Sequence, residues 1–337
     1  MATKAYVAAI FISVLITTSA FATIWIVDNN PDPSGGYTTL SAAHAIAMSG
    51  DTIYVYPSVT AYAGITVTKQ LYIFGTGFDL NIYGGQATTA GSEISGTMKF
   101  DPGSGGSFLE GFGGGFTADI NVGNIIVKRN DLSKVDIGGS NCQILQNEII
   151  GTAEPGVVTM SGNLGNVIIA NNKIINTSSQ GTTWARWALN CEPSSIITVV
   201  NNVLRANSAQ RAIEGLGATS VAQNNIIIDG ITTGDGVFQY NMSHSTLPAG
   251  TGNIENMDMS IVFENPADYT TGLHLLPGSP ASGTGYGGTD MGIYGGDAPY
   301  VDGGHPGIPA IFHIESEVVT TPQNGLDVLF KAKSNRE

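Results

Sequence analysis

Val167-Ile168-Ile169-Ala170-Asn171-Asn172-Lys173-Ile174-Ile175 is one of four variants of a single phrase within residues 141–228. Each variant has a run rich in Ile and Val, then one or two Asn residues, then a second apolar stretch. The other copies occupy residues 142–150, 196–204 and 221–228, and a less regular one precedes them at 125–132. Measured at the second Asn, from Asn130 to Asn225, the copies are 17, 25, 30 and 23 residues apart. Short strands that recur about every two dozen residues predict a β-solenoid.

Each Asn of this phrase is predicted to form a corner between two strands. The apolar runs are too short for buried helices, and their β-branched residues fit a pleated surface better. Asn tolerates left-handed backbone angles and bonds its own backbone, so it bends the chain. Stacked coils lie about 4.8 Å apart, which places each Asn over its equivalent in the next coil. The Asn side chains can then hydrogen-bond along the inside of the bend, and we therefore assign them a structural role.

The composition favours one elongated β protein. The chain has 337 residues, of which 45 are Gly without a three-residue period, 42% are hydrophobic and only 12% are charged. These values exclude collagen and a disordered chain. The formal net charge of −14 leaves no basic stripe, which argues against nucleic acid as a partner but not against neutral glycans or calcium. Cys142 and Cys191 lie two coils apart at different phases, so we predict free, buried thiols.

Residues 1–22 have the features of a secretory signal peptide. Lys4 precedes an apolar run over residues 5–16, and Ala20-Phe21-Ala22 is a small-x-small cleavage site. The apolar run is too short to span a bilayer comfortably, and no other stretch approaches that length. The sequence therefore predicts a secreted or cell-surface protein that begins near Thr23 and has no membrane span after signal removal. A buried first strand or a membrane anchor is the alternative.

Residues 38–50 are predicted to form a helix that covers the open end of the solenoid. Leu40, Ala43, Ile46 and Ala47 share one helical face, a Thr or Ser can cap the start, and Gly50 ends the helix. Without such a lid the first coil would expose its core and its strand edges.

Two stretches of the chain resemble secreted right-handed β-helix proteins of the pectin-lyase-like superfamily. The first is this helix followed by Gly50-Asp51-Thr52-Ile53-Tyr54-Val55-Tyr56-Pro57, and the second is Ser279-Pro280-Ala281 with Asp290-Met291-Gly292-Ile293-Tyr294-Gly295-Gly296. Ser58 stands where that family usually has Gly, and Ser282 with its neighbours replaces the usual Ile-Asp. The resemblance implies an all-β, right-handed parallel β-helix over residues 23–296 with an N-terminal capping helix. It implies no single activity, because the superfamily contains lyases, hydrolases, adhesins and proteins of no known activity.

The C-terminal part is predicted to leave the solenoid. Residues 258–269 look like the exit from the last coil, and residues 273–275 are predicted as a terminal strand. Residues 297–309, rich in Gly, Pro and Asp, form a predicted linker. Residues 310–337 form a predicted β appendage, in which Asn324-Gly325 indicates a hairpin turn. Because a lone hairpin is marginally stable, it must pack on the solenoid, pair with another chain in self-association, or begin a sandwich domain that this chain lacks.

The catalytic motifs of the superfamily are absent from the sequence. Its pectate lyases carry Asp clusters for calcium and an Arg base, and its polygalacturonase-like hydrolases carry Asn-Thr-Asp, Asp-Asp and Gly-His-Gly. None of these patterns occurs here. His-x-x-x-His, Cys-x-x-Cys and Gly-x-Ser-x-Gly are absent as well, which removes the common zinc and serine-hydrolase sites. No catalytic residue can therefore be carried over from the family.

The best candidate for carbohydrate binding comes from the longest coil of the solenoid. Trp184, Arg186 and Trp187 lie in this coil, and Arg205 follows in the next one. Aromatic faces combined with fork-shaped donors bind sugars, and Arg also neutralises a uronate carboxylate. The alternative is that the Trp residues cover the flank of the coil while the Arg residues pair with Glu.

Three further residues are candidates for catalysis. A lyase would need a base, for which Arg211 is the candidate. A hydrolase would need two carboxylates about 5–10 Å apart, for which Glu192 and Glu214 are the candidates. Asp229 and Asp235, set among Gly residues, could form a calcium corner of oxygen ligands, although such turns are more often plain turns. No cofactor other than this possible calcium is expected.

Two functions fit the sequence. The first is a secreted or cell-surface β-helix that binds polysaccharide, or serves as an extracellular structural or adhesive protein, without catalysis. The second is a polysaccharide lyase or glycoside hydrolase that acts in a groove on the β-helix near Trp184 and Arg211. The missing catalytic motifs favour the first, and the Trp, Arg and Glu residues keep the second open.

Overall fold

A computed structural model describes residues 22–33, 35–84, 87–178, 185–316 and 325–334. Nearly all of the predicted signal peptide, together with Trp184 and the predicted turn at Asn324, lies outside these residues. One α-helix, α1 (Leu40–Ile46), occurs in the described part of the chain. No described helix has the length and apolar character needed to cross a membrane.

The described strands, in chain order, are as follows. They are β1 (Ile24–Val27), β2 (Thr52–Val55), β3 (Tyr62–Ala63), β4 (Thr66–Val67), β5 (Tyr72–Phe74), β6 (Ile94–Ser95), β7 (Thr97–Phe100), β8 (Phe108–Glu110), β9 (Phe116–Ile120), β10 (Ile126–Lys128), β11 (Asp131–Ile137), β12 (Gln143–Leu145), β13 (Glu148–Gly151), β14 (Gly156–Met160), β15 (Val167–Ala170), β16 (Lys173–Asn176), β17 (Trp187–Asn190), β18 (Ile197–Val200), β19 (Val203–Arg205), β20 (Arg211–Leu216), β21 (Val221–Gln223), β22 (Ile226–Asp229), β23 (Ile231–Gly234), β24 (Val237–Gln239), β25 (Met242–Ser243), β26 (Pro309–Ser316) and β27 (Val328–Ser334). Single 3₁₀ turns occupy Met259–Ile261, Tyr286–Gly288 and Asp302–Gly304.

These strands stack in parallel as the predicted solenoid. The first sheet contains ten strands in the order β1-β2-β5-β8-β10-β12-β15-β18-β21-β24, so each strand pairs with its equivalent in the next coil. The second sheet contains thirteen strands and is formed by most of the remaining strands of the coils. The strands β3 and β6 form a separate pair. The inward side chains of both sheets form one apolar core, which includes Val127, Ile144 and Ile169. The predicted parallel β-helix fold is therefore confirmed.

The Asn ladder predicted from the repeated phrase is present and extends two rungs further than the phrase indicates. The side-chain amide of each Asn donates to the Oδ1 atom of the Asn in the next coil, at 2.9–3.3 Å. The backbone N–H of each ladder residue donates to the same Oδ1 atom. The rungs are Asn130, Asn147, Asn172, Asn202, Asn225, Asn241 and Asn253.

The sharp bend in each coil is made by the residue before the ladder Asn. These residues have φ angles of 52–56°, and they are Arg129, Gln146, Asn171, Asn201, Asn224 and Tyr240. Only three of the six are Asn, the residue type that adopts such angles most readily apart from Gly. Each bend therefore has two parts. One residue turns outward in the left-handed conformation, and the ladder Asn after it points into the coil.

Residues 286–307, here called the strap, run back along this outward row. The Asn224 Oδ1 atom accepts from the N–H of Tyr286, and the Asn171 amide donates to the carbonyls of Ile293 and Gly295 at 2.9 and 2.8 Å. Further along, the Gln146 amide donates to the carbonyls of Ala298 and Pro299, and Arg129 Nη1 donates to that of His305. This part of the predicted linker thus packs on the coils, and its Tyr300 side chain is only 5% exposed.

Asn171→Gly should release the centre of the strap without unfolding the coil. Gly keeps the positive φ angle at no steric cost, but two hydrogen bonds to the strap are lost. We expect amide hydrogen exchange within residues 291–296 to speed up about thirtyfold, because two bonds worth about 1 kcal/mol each are lost. Asn141→Gly is the matched control, since Asn141 has a φ angle of 59° but no contact with the strap. Equal exchange rates in the two variants would contradict this role of Asn171.

The sequence predictions for the two ends of the β-helix and for its cysteines have different outcomes. The Thr39 hydroxyl caps α1 by accepting from the N–H of Ala42. The helix ends at Ile46, before the predicted stop at Gly50, whose N–H instead bonds the Gln70 carbonyl in a neighbouring coil. Residues 273–275 are not a strand, because Leu275 makes only a single bridge, to Phe263. The predicted C-terminal hairpin is confirmed as the antiparallel pair β26–β27, and Cys142 and Cys191 are free and buried.

Candidate functional site

Trp187, Arg211 and Glu214 lie together on the outer face of the second sheet. Asn190 of β17 is the register partner of Glu214 in β20, and Trp187 and Arg211 are the first residues of these two adjacent strands. Both strands bury their second and third residues and leave the first and fourth partly exposed, which deviates from strict alternation. Since neighbouring strands are about 4.8 Å apart, the four partly exposed side chains form one patch. We call Trp187, Asn190, Arg211 and Glu214 the outer patch.

The ionic groups of the outer patch bond each other and remain partly exposed. Arg211 Nε donates to Glu214 Oε2 at 3.0 Å, and the Thr233 hydroxyl donates to the same oxygen at 2.7 Å. About a third of each charged side chain is open to solvent. An arrangement of this kind presents an aromatic ring, a guanidinium group, a carboxylate and an amide to a ligand, which are the groups that hold sugars.

The other predicted site residues lie elsewhere. Arg186 pairs with Glu154 and donates to the Thr152 carbonyl, which agrees with the alternative that Arg residues pair with Glu. Arg205 donates to the Asn176 carbonyl, and its guanidinium lies 5.8 Å from the Tyr269 ring, on the strand segment before the outer patch. Glu192 is in the turn after β17, where it accepts from Ser194.

The predicted calcium corner keeps only local contacts. Asp229 accepts from the N–H of Gly230 at 2.8 Å, and Asp235 is exposed. Across the described ranges, no three or more His, Cys, Asp or Glu side chains lie close enough together to hold a metal ion. Calcium binding by Asp229 and Asp235 stays a prediction.

A second group of ionisable residues was not predicted from the sequence. Asp131, Glu148 and Lys173 each follow a ladder Asn, and they are register partners on consecutive coils. Lys173 Nζ donates to Glu148 Oε2 at 2.8 Å and to the Thr270 carbonyl at 2.7 Å. The side chains of Lys173 and Glu148 are 1% and 7% exposed. We call these three residues the charged row. Their common position after the Asn was the signal in the sequence that could have identified them.

Burial shifts the proton affinities of the charged row. It raises the pKa of Glu148 to about 7, although the nearby Lys173 acts in the opposite direction. Burial likewise raises the pKa of Asp131 to about 6, against two backbone N–H groups, of Gly115 and Gly114, that favour its ionised form. Ionised carboxylates are disfavoured wherever lost hydration outweighs such partners. Carboxyl groups with raised pKa are typical of acid catalysts, which makes this row a candidate for proton transfer.

The strap covers the charged row. Lys173 Nζ lies 4.7 Å from the centre of the Tyr300 ring. Tyr294 donates to Asp302 at 2.9 Å and stacks on His274 with the ring centres 4.4 Å apart, which holds this part of the strap in place. Glu148 and Lys173 are therefore closed to a polymeric ligand, whereas the outer patch is open.

The chain matches no protein-family model and no curated protein. Among solved structures it is similar to that of pectate lyase Pel9A, with 13% sequence identity and a TM-score of 0.40, over 81% of this chain and 96% of the lyase chain. A likeness at this level says nothing about activity. The stacked parallel coils, by contrast, are described directly by the strand pairing, and the chain thus has the parallel β-helix architecture that its resemblance to the pectin-lyase-like superfamily implies.

Proposed function

We propose that this protein is a secreted or cell-surface β-helix that binds polysaccharide without cleaving it and serves as an extracellular binding, structural or adhesive protein. The observation that carries the proposal is the outer patch, in which Trp187 and Arg211 begin adjacent strands and the paired residues Asn190 and Glu214 follow them. An aromatic ring stacks on the apolar face of a sugar, and Arg forms paired hydrogen bonds with hydroxyl or carboxylate groups. The features of residues 1–22 support export.

Accessibility to a ligand and a raised carboxyl pKa are found at different places on the molecule. This separation favours binding over catalysis. The outer patch is accessible, but its Arg211 is already paired with Glu214. The carboxyl groups with raised pKa, Asp131 and Glu148, belong to the charged row, in which Glu148 is bonded to Lys173 beneath the strap. A glycan at the outer patch therefore does not reach the groups best suited to proton transfer.

Trp187→Ala and Arg211→Ala should each weaken polysaccharide binding about tenfold, because each removes one of the groups that contact the sugar. The purified chain from Thr23 onward would be screened by affinity electrophoresis against acidic and neutral polysaccharides, with and without calcium. Arg205→Ala is the matched control, since Arg205 is a half-buried Arg outside the outer patch. Retention on no glycan, or equal retention of all three variants, would contradict the proposal.

The second candidate function is a polysaccharide lyase or glycoside hydrolase that acts in a groove on the β-helix. The adjacent carboxyl groups of Asp131 and Glu148, with Lys173 beside them, are the observation that favours it. The same screen should therefore record the absorbance of unsaturated products and the release of reducing ends. Cleavage that is lost in Glu148→Gln or Glu214→Gln, while binding persists, would replace the first proposal with the second.

A further inference from the structure

A groove of about 520 Å³ lies between the first sheet and the C-terminal hairpin. One wall is the outer face of the first coils, with Tyr54, Tyr56 and Thr76. The other wall is β26 and the segment next to it, with Thr88, Ile311 and Ile314. The volume is within the range of about 300–1,000 Å³ that is typical of small-ligand sites. The groove is on the opposite sheet from the outer patch and does not share a residue with it.

The coil wall of the groove is aromatic because of the strand period. Tyr54 and Tyr56 are two residues apart, so both point out of the sheet. Their rings meet edge to face with centres 5.6 Å apart, which leaves a ring face available to a ligand. Phe74 is the register partner of Tyr54 on the next coil and continues the aromatic surface.

The hairpin wall of the groove is aliphatic and held in position at its base. The Ala87 N–H donates to the Ile311 carbonyl at 2.8 Å, which ties β26 to the loop beside the groove. Ile311 is 44% and Ile314 57% exposed, and both face the groove rather than a core. Large apolar side chains left in water next to an aromatic surface are a mark of a binding site.

The lining selects the chemical class of the ligand. None of the described residues that line the groove is charged, although the chain has a net charge of −14. The polar groups that its side chains offer are the hydroxyls of Tyr and Thr. A polyanionic chain such as a polyuronate would meet repulsion and no cation, and a purely hydrocarbon ligand would leave the hydroxyls unused. Pyranose rings have apolar C–H faces and uncharged hydroxyls, and they match both features.

We propose that this groove binds uncharged pyranose units of a neutral polysaccharide, with Tyr54 and Tyr56 as the stacking platform and the hairpin as the opposing wall. The hairpin then has a function in ligand binding, and its exposed apolar side chains become covered when the sugar is bound. This site goes beyond the outer patch and stands on different residues, so either site can fail without the other.

Isothermal titration of the purified chain with cellohexaose, xylohexaose and mannohexaose tests the proposal, with hexagalacturonate as the charged probe of equal length. We expect at least one neutral hexasaccharide to bind. Tyr54→Ala should weaken that binding about tenfold, whereas Tyr54→Phe should retain most of it, because the ring face is preserved. Ile314→Asp, on the hairpin wall, should weaken binding by placing a charge against the apolar face of the bound sugar without touching the coils.

Tyr286→Ala is the matched control, since it removes an exposed Tyr ring from the strap, away from the groove. The proposal is overturned if no neutral hexasaccharide binds at millimolar concentration. It is equally overturned if Tyr54→Ala binds like the unmodified protein, or if only hexagalacturonate binds. Loss of neutral-sugar binding in Trp187→Ala but not in Tyr54→Ala would assign the sugar to the outer patch, which would support the proposed function and reject the groove.

Discussion

Replacing Asn172 with Leu should lower the free energy of unfolding by about 4 kcal/mol, since several buried polar groups lose a partner at once. Asn172 is fully buried in the middle of the Asn ladder. Its Oδ1 atom accepts both the N–H and the side-chain amide of Asn147, and its own amide donates to the Ile144 carbonyl and to Asn202. Leu has the same number and branching of side-chain heavy atoms as Asn, so the loss comes from unpaired polar groups rather than from a cavity.

Chemical denaturation followed by circular dichroism measures this loss, and Asn253→Leu is the control. Asn253 receives the same two hydrogen bonds, from Asn241, but it is the last rung and is partly exposed. Water can therefore replace its bonds, and we expect a loss of only about 1 kcal/mol. If the two substitutions cost the same, the interior of the ladder is no more important than its end, and the ladder does not stabilise the stack in the way described.

The free energy of unfolding should decrease by about 3 kcal/mol between pH 4 and pH 8 because of Glu148. The pKa of this carboxyl group is about 7 in the folded chain, against an ordinary value of 4.5. Between these values the folded chain keeps a proton that the unfolded chain has released. The stabilisation is complete below pH 4.5 and is lost as the pH rises through 7. Asp131, with a pKa of about 6, adds to the decrease in the same direction.

Denaturation at a series of pH values, repeated for Glu148→Gln, separates the two contributions. The variant carries no carboxyl group at this position, so the decrease that remains should be the part due to Asp131. Glu264→Gln, which changes an exposed carboxylate, should show the profile of the unmodified protein. An identical pH profile in Glu148→Gln and the unmodified protein would show that Glu148 is ionised in the folded chain over the whole range, and that Lys173 outweighs its burial.

The outer patch was only partly predictable from the sequence. The side-chain chemistry of Trp187 and Arg211 marks both as candidate site residues, and their spacing of one coil is consistent with adjacent positions on the solenoid. Whether they share a face depends on the local irregularity that leaves the first and fourth residues of β17 and β20 partly exposed. A strict two-residue alternation would have placed Arg211 and Glu214 on opposite faces.

The groove and the charged row were not predictable in the same way. The groove exists because residues far apart in the chain, such as Tyr54 and Ile314, face each other. Lys173 is buried because Tyr300 and Thr270 cover it. The position of the hairpin wall and the burial of Lys173 both follow from the path of the strap, which no local sequence pattern encodes.

The sequence by itself determined the coil, the ladder and the capping helix, because each depends on interactions between residues that are close in sequence or repeated at a regular spacing. The apolar alternation, the Asn at each bend and the Thr39 cap are local interactions. The stacking of coils repeats the first two along the chain. Only the tertiary structure decided which surfaces are open and which are covered. That outcome depends on the strap, whose hydrogen bonds join Asn171 to Gly295 and Gln146 to Pro299, residues 124 and 153 positions apart in the chain. Long-range contacts of this kind arise from the packing of the whole fold. They determine which surfaces a ligand can reach, and they cover the charged row.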